Sequence, residues 1–409
     1  MSFEIRPLTI EDIPRFRQAI SAGFGHDLDP DDKQAAERFD ALFARDRAFP
    51  VFDGDQLVGT GADYAFTVTV PGGAQVPMAG LTIITVRPTH TRRGVLTMMM
   101  REHFRRARER GELLAGLWAS EAKIYGRFGY GPAARHHEVK FDARYTGRGG
   151  SEPGVIVRLV EKAEAEKLLP DMFALAQQQR PGMFQRSEEW WRYRHFYDPE
   201  KWREGASALR HAVAFQDEEP IGYVSYRQKE DWGQLPDGEI RVRELIPVTD
   251  AGYRALWHYV TSVDLFPIVK HWNMAPDDPL WLLLEDGRAV GTTAVSDALW
   301  VRLVDVPRAL EARAYESDGS IVIRVTDGFC DWNEGTYRIE VDGGRATVAR
   351  VAEDPEVSMT ASTLGALYLG GRDAIAFARA GRIDGAAASV RDLNRMVRSS
   401  PQPWVPEIF

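Results

Sequence analysis

Residues 84–97 read Ile-Thr-Val-Arg-Pro-Thr-His-Thr-Arg-Arg-Gly-Val-Leu-Thr, joining the end of an apolar run to an amphipathic stretch that begins at Val95. A strand that ends at Val86, a turn holding Arg92, Arg93 and Gly94, and a helix starting at Val95 would gather backbone N–H groups and two guanidinium groups at one helix N-terminus. That is the chemistry of pyrophosphate binding, with the helix dipole adding favourable partial charge. Gly94 would let the backbone approach an anion with no Cβ in the way. An arginine-rich, solvated helix start with a turn glycine reads equally well from these residues alone. A second candidate is Tyr125 in the block Ile124-Tyr125-Gly126-Arg127-Phe128-Gly129-Tyr130-Gly131, where Tyr130 is a competing phenol and packing of the turn is the competing role. A third is the end of the chain, where Trp404, Val405, Ile408 and Phe409 favour burial over the fraying usual for a terminus.

Other nucleophiles and metal ligands are scarce. Cys330 is the sole cysteine, which excludes an intramolecular disulfide and a multi-thiolate metal site; it reads as an ordinary half-buried thiol. The formal net charge of -9 disfavours nucleic acid and anionic membrane as partners and suits a cationic substrate. Glu4, Arg6, Glu11, Asp12 and Arg15 interrupt any signal-peptide core, and no uncharged apolar run approaches the length of a membrane span, so a soluble, cytoplasmic protein is expected.

The elements that must position these groups follow from periodicity and turn residues. Phe3–Ile20 reads as a strand and then a helix capped by Thr9. Residues 48–86 read as a β-meander with Asp53-Gly54-Asp55 and Pro71-Gly72-Gly73 turns. Val95 to Arg110 is a helix closed by Gly111, followed by a strand in residues 112–121 and a short helix and turn through Gly131. Gly147–Gly154 marks a first boundary. Beyond it, residues 156–179 read as helical, residues 211–227 as a hairpin about Asp217 to Glu219, and residues 239–263 as another strand and helix. That order imitates residues 1–145, yet the glycine of the second junction, Gly252, has no arginine pair beside it, so a degenerate duplication is expected. The aromatic block Ser187–Glu200 reads as domain-interface packing. From about Trp300 a helix, three strand-like runs and then helices from Ser362 predict a small α+β domain, and the Pro-rich tail forms neither a regular helix nor a central strand.

The coenzyme A signature of the GNAT acetyltransferases is usually Gln or Arg, two residues, Gly, one residue, then Gly or Ala; the corresponding positions here hold Thr91, Gly94 and Leu96. Pro88–Met100, Ser120–Ala133 and a terminal aromatic residue with a free carboxylate together resemble the enhanced-intracellular-survival (Eis) family of GNAT N-acetyltransferases, along the whole chain. The resemblance implies an α/β (α+β) fold: a catalytic GNAT domain in 1–150, a degenerate GNAT domain in 151–297, and a sterol-carrier-protein-like α+β domain in 298–409. It implies acetyl-CoA as co-substrate, no metal, and cationic amines such as aminoglycosides or lysine side chains as acceptors, in a homohexamer built as a trimer of dimers. By the same resemblance, backbone groups of Ile84, Thr85 and Val86 flank the thioester and pantetheine, Arg92, Arg93, Gly94, Val95, Leu96 and Thr97 hold pyrophosphate, and Ser120 and Glu121 border the cofactor. Tyr125 would then be the general acid and the α-carboxylate of Phe409 the general base. Phe24, His26, Asp27, Trp118 and Glu407 are candidates for acceptor binding, although Asp29, Asp31 and Asp32 read better as caps of a helix beginning near Asp31. The competing readings are a non-catalytic GNAT scaffold whose C-terminal domain carries a lipid or small ligand, favoured by Leu96 at a position that usually holds a small residue, and an acyltransferase using a longer acyl-CoA.

Overall fold

A computed structural model describes residues 3–146 and 151–409, so Gly147–Gly150 of the expected boundary lie outside the described residues. The chain divides into two compact units: one holds residues 1–134, 298–400 and 407–409, the other residues 135–297 and 401–406.

The first unit begins with β1 (Phe3–Ile5), α1 (Ile13–Gly23), α2 (Lys33–Leu42), β2 (Val51–Asp53), β3 (Gln56–Thr69), β4 (Gln75–Val86), α3 (Val95–Glu109), β5 (Leu114–Trp118), α4 (Ala122–Tyr125) and β6 (Gly131–Pro132). The meander of β2, β3 and β4 is antiparallel as its turns predict. α1 starts later than expected: Thr9 closes a preceding turn, Asp12 occupies the N-cap and Pro14 stands in the first helical turn. α2 is capped by Asp32, whose carboxylate accepts from the Ala35 N–H at 2.9 Å. Phe49, Val51, Met99, Met100 and Phe104 form the core under α3, all essentially inaccessible to solvent.

The second unit contains β7 (Arg135–Asp142), α5 (Ala143–Thr146), β8 (Val155–Val160), α6 (Lys162–Gln179), α7 (Glu188–Trp190), β9 (Arg210–Gln216), β10 (Glu219–Lys229), β11 (Glu239–Pro247), α8 (Asp250–Thr261), β12 (Ile268–Met274), α9 (Leu280–Leu283) and β13 (Gly291–Asp297). Residues 156–160, read as helical from sequence, belong to a strand instead: Val155, Ile156 and Val157 are β-branched and pair with β9 at the sheet edge. The hairpin turn is where expected, with Asp217 and Glu218 both at positive φ, 50° and 67°. Trp191 of the aromatic block packs edge-on against Phe173 at 5.6 Å, within the core of this unit.

The chain then re-enters the first unit through β14 (Leu299–Leu303), which pairs with both β5 and β6. α10 (Val306–Ala312), β15 (Gly319–Thr326), β16 (Gly335–Asp342), β17 (Arg345–Arg350), β18 (Val357–Thr360), α11 (Ala361–Tyr368), α12 (Ala374–Arg379), β19 (Ile383–Gly385) and α13 (Ala387–Val397) follow. The three expected strand runs are β15, β16 and β17, and β18 and β19 extend them to a five-stranded sheet. The two larger sheets have the orders β1-β2-β3-β4-β5-β14-β6 and β13-β7-β12-β11-β10-β9-β8. A division at about 150 and 298 therefore cuts across strand pairing. β7, which precedes residue 150, belongs to the second sheet, and β14, which follows residue 297, belongs to the first.

The tail 401–406 is irregular, as its prolines require, and it is held in the second unit by side-chain bonds. Trp404 Nε1 donates to Asn273 Oδ1 at 2.9 Å, Asn273 Nδ2 donates to the Val405 carbonyl at 2.9 Å, and Arg180 donates to the Gln402 carbonyl at 2.9 Å. The anchored segment lies beside β11, β12 and the start of α8, where a cavity of about 350 Å³ is lined by Ile246, Tyr253, His271, Asp278 and Trp404.

Candidate active site

The parallel strands β4 and β5 pair only from Met78↔Leu114 to Gly80↔Gly116. β4 then runs on to Val86 along β3, and β5 to Trp118 along β14, without pairing with each other, so the sheet opens into a splay. Ile84, Thr85 and Val86 stand on one lip, half-buried, and Ser120 and Glu121 follow β5 on the other. A bulge helps to open it: the β3–β4 register shifts between Thr60 and Ala62, and Ile83 sits at φ 49°, an unusual conformation for a β-branched residue. The Thr60 hydroxyl lies 2.8 Å from the Ile83 carbonyl and 2.7 Å from the Thr85 hydroxyl, which ties the strained segment to β3.

At the end of the lip, Arg92 has φ 60° and Gly94 φ 90°, the latter as N-cap of α3 with no side chain satisfying the first N–H groups. Nothing lies within 4 Å of where a Gly94 Cβ would stand, and a cavity of about 490 Å³ runs along Gly94, Thr97 and Arg101. An anion therefore has access to uncapped backbone N–H groups, and the residues fit a pyrophosphate. Leu96 is partly buried and packs against the α3 core. Arg92 is exposed, whereas Arg93 is already engaged, 3.7 Å from the Asp53 carboxylate and with its guanidinium 4.9 Å from the Phe3 ring.

The corresponding junction of the second unit is built differently. Thr249 caps α8 by accepting from the Gly252 N–H at 3.1 Å, and Asp250 places negative charge in the first turn. A Cβ at Gly252 would collide with the Ile221 carbonyl, so this glycine serves close packing and leaves no approach for an anion.

Tyr125 closes α4 beside the splay and is 7 % exposed. Burial raises its pKa above the ordinary phenol value, against a hydrogen bond with Ser120 that lowers it, so it stays protonated at neutral pH. Its ring meets Tyr130 edge-on at 6.2 Å. Tyr130 itself is fully buried; its hydroxyl lies 2.9 Å from His103 Nε2, and His103 Nδ1 donates to Asp63 at 3.0 Å. Burial opposes ionisation of Asp63, but the His103 bond and the charges of Arg47 and Arg110 hold its pKa below the usual range. Asp63, His103 and Tyr130 thus form a fixed internal wall behind Tyr125, which sequence reading missed because Asp63 lies on β3, His103 on α3 and Tyr130 in the loop before β6.

On the other strand, Gly80 leaves room for the Phe66 ring, and the last residue of the chain packs beside it. A Cβ there would stand 3.2 Å from the Phe409 ring, which packs edge-on to Phe66 at 4.8 Å. Gly80 is the final β4 residue paired with β5, so the C-terminal ring is seated where the splay begins. Trp118 ends β5 and Glu407 is half-buried two residues before the terminus. Phe24, His26 and Asp27 are exposed just beyond α1, whose Gly23 packs against Thr85. Cys330 is fully buried, more than the half-buried thiol expected, and burial pushes its pKa up to about 12, so it is inert as a nucleophile.

A second acid–base constellation lies in the other unit. Ser225 Oγ is 3.4 Å from His195 Nε2, and His195 Nδ1 is 3.3 Å from Glu244. All three side chains are buried and Arg186 pairs with Glu244 at 2.6 Å, so the group is a satisfied core network. Among the described residues no cluster of three or more His, Cys, Asp or Glu could hold a metal ion, and no helix is long and apolar enough to cross a membrane.

Profiles of the acetyltransferase (GNAT) domain match residues 4–133 and, in a second version, 182–303; that of the sterol carrier protein domain matches 306–406. An uncharacterised N-acetyltransferase of Streptomyces avermitilis is 36 % identical over 414 residues, covering both chains completely. The N-acetyltransferase Eis of Mycobacterium tuberculosis is 36 % identical over 354 residues, 84 % of this chain and 82 % of its own. The crystal structure of Eis1 from Mycobacterium abscessus matches with a TM-score of 0.87 at 28 % identity over the whole of both chains. A GCN5-related N-acetyltransferase from Anabaena variabilis shares the fold, with a TM-score of 0.86 at 16 % identity. With a tandem of GNAT domains, a sterol-carrier-like domain and a strand splay beside an uncapped helix, the chain belongs to the Eis family of GNAT N-acetyltransferases.

Proposed function

We propose that the protein transfers acetyl directly from acetyl-CoA to amines of cationic acceptors such as aminoglycosides or lysine side chains. The observation that carries this reading is the placement of two candidate catalytic groups about one splay: Tyr125 beside the β5 lip and the Phe409 ring at Gly80 on β4. The co-substrate supplies an activated acetyl thioester. Backbone groups of Ile84, Thr85 and Val86 hold its reacting end, and the N–H groups of residues 94–97, with Arg92, hold its pyrophosphate. Ser120 and Glu121 border it on the far lip. The Phe409 carboxylate accepts the proton that the acceptor nitrogen must lose, the C–N bond forms as the C–S bond breaks, and the Tyr125 hydroxyl delivers a proton to the departing sulfur. The net charge of -9 suits cationic acceptors, with Phe24, His26, Asp27, Trp118 and Glu407 as recognition residues. The same reading includes a cytoplasmic homohexamer, a trimer of dimers.

The test is a steady-state assay of free thiol release with acetyl-CoA and a panel of aminoglycosides, polyamines and lysine peptides. A two-residue extension after Phe409 keeps every side chain and moves only the terminal charge. It is expected to lower kcat about 100-fold or more while the KM for acetyl-CoA stays within twofold. Full activity of the extended protein on its best amine would rule out the terminal carboxylate as the base.

A further inference from the structure

The first unit contains a cavity of about 680 Å³ that none of the residues assigned to acetyl-CoA, acceptor or catalysis lines. α4 and the turn after it contribute Lys123 and Arg127 to the lining, and the residues flanking α12 contribute Arg372 and Arg382. Four cations therefore face one concavity in a chain whose net charge is -9. The single acid in the lining is Asp327, and its charge is already used. It pairs with the buried Arg302 and accepts from the N–H groups of Phe329 at 3.2 Å and Cys330 at 3.0 Å. Among the described residues, no carboxylate lies within ion-pair distance of Lys123, Arg127 or Arg382. Lys123, Arg127 and Arg382 are exposed around one concavity, where like charges repel one another and an anionic ligand relieves that repulsion.

The rest of the lining narrows the ligand. Residues Ala361, Ser362 and Thr363, the first turn of α11, line the cavity, and Thr360 already accepts from the Thr363 N–H at 3.3 Å, so the cations and not this helix start carry the anion's charge. Aromatic rings of Trp300, Phe329 and Phe377 share the lining with the cations, which suits a molecule carrying both a flat ring and charged groups. The volume is that of a small-molecule site. We infer that this cavity binds a phosphorylated ring compound of the nucleotide class, separately from the acetyl donor. The Arg382 guanidinium takes a phosphate bidentately, and Lys123, Arg127 and Arg372 add positive charge around it.

Nucleotide chemistry has two sources, a free nucleotide or the nucleotide end of coenzyme A itself, and the experiment separates them. Titration calorimetry of the full chain with ADP, and with inorganic pyrophosphate as a ring-free probe, is run with and without saturating coenzyme A. Arg372→Ala, Arg382→Ala and the conservative Arg382→Lys are titrated alongside, with acetyl-CoA KM and kcat measured for each. The expected result is one ADP bound per chain in the presence of coenzyme A. Its affinity falls at least tenfold in each alanine variant and less in Arg382→Lys, pyrophosphate binds more weakly than ADP, and acetyl-CoA KM and kcat change by less than twofold. Competition between ADP and coenzyme A, together with a raised acetyl-CoA KM in the arginine variants, would assign the cavity to the donor's nucleotide end and overturn a separate site. Absence of ADP binding at millimolar concentration would overturn it as well. Because donor kinetics are read in every variant, failure of the proposed acetyl transfer is distinguishable from failure of this site.

Discussion

Tyr125 and Tyr130 are five residues apart in one motif and carry different burdens. Tyr125 borders the splay and bonds to Ser120, whereas Tyr130 is sealed against His103. Tyr125→Phe is expected to lower kcat about 100-fold with acetyl-CoA KM unchanged, because the group is assigned to the leaving sulfur and not to binding. Tyr130→Phe leaves His103 Nε2 buried without its partner and is expected to cost about 1–3 kcal/mol of stability in urea unfolding, with kcat reduced far less than in Tyr125→Phe. Buried histidines of the second unit make a separate prediction about pH. Burial lowers the pKa of His211 to about 4 and that of His271 to about 3. Both are neutral in the native state, while an unfolded histidine titrates near 6.5. As pH falls from 6.5 towards 4 the unfolded chain gains protons that the native chain refuses, so the stability present above 6.5 is lost across that window. His211→Gln is expected to flatten the fall of the urea midpoint between pH 6.5 and 4.5; an unaltered slope would show that His211 does not contribute.

At the scale of elements, the β4–α3 turn and the C-terminal tail show how a short segment is committed to one task. Gly94 and Arg92 both adopt positive φ, which exposes the N–H groups of α3, while Arg93 folds back onto Asp53 and Phe3. Arg92→Ala is therefore expected to raise the KM for acetyl-CoA several-fold more than Arg93→Ala, whose effect appears instead as a lower melting temperature. The tail depends on Asn273, which bonds both the Trp404 indole and the Val405 carbonyl. Asn273→Ala leaves both of these groups without that partner and is expected to destabilise the second unit by about 1–3 kcal/mol, with faster release of terminal residues by carboxypeptidase. A protection rate equal to that of the wild type would show that the other tail bonds suffice.

The whole molecule reuses one strand–helix pattern twice and gives it two outcomes. In the first unit the helix after the splayed strand is left uncapped and open; in the second, Thr249 and Asp250 close it and Gly252 packs against Ile221. Restoring an anion site at the second junction would thus require more than an arginine pair. The hexamer expected of this family is tested by sedimentation at micromolar concentration: the mass should be six times the 46.0 kDa of one chain, and a species near 46.0 kDa would exclude it.

Much of this was legible in the sequence because it rests on local rules. The meander turns, the α3 start at Val95, the hairpin at Asp217 and Glu218, the degenerate second junction and the irregular proline-rich tail all follow from residue conformational preferences and periodicity. The Eis-family motifs were likewise written in contiguous residues, 88–100 and 120–133. What only the tertiary structure decided lies in contacts between distant positions. β14 pairs Val301 with Gly116, β7 joins the second sheet, Arg93 meets Asp53, His103 links Asp63 to Tyr130, and the cations at 123, 127, 372 and 382 come to share one cavity. Each such contact contributes little alone and depends on closing loops of tens to hundreds of residues, so no local preference encodes it; the partner is set when the sheets assemble and bury their common cores.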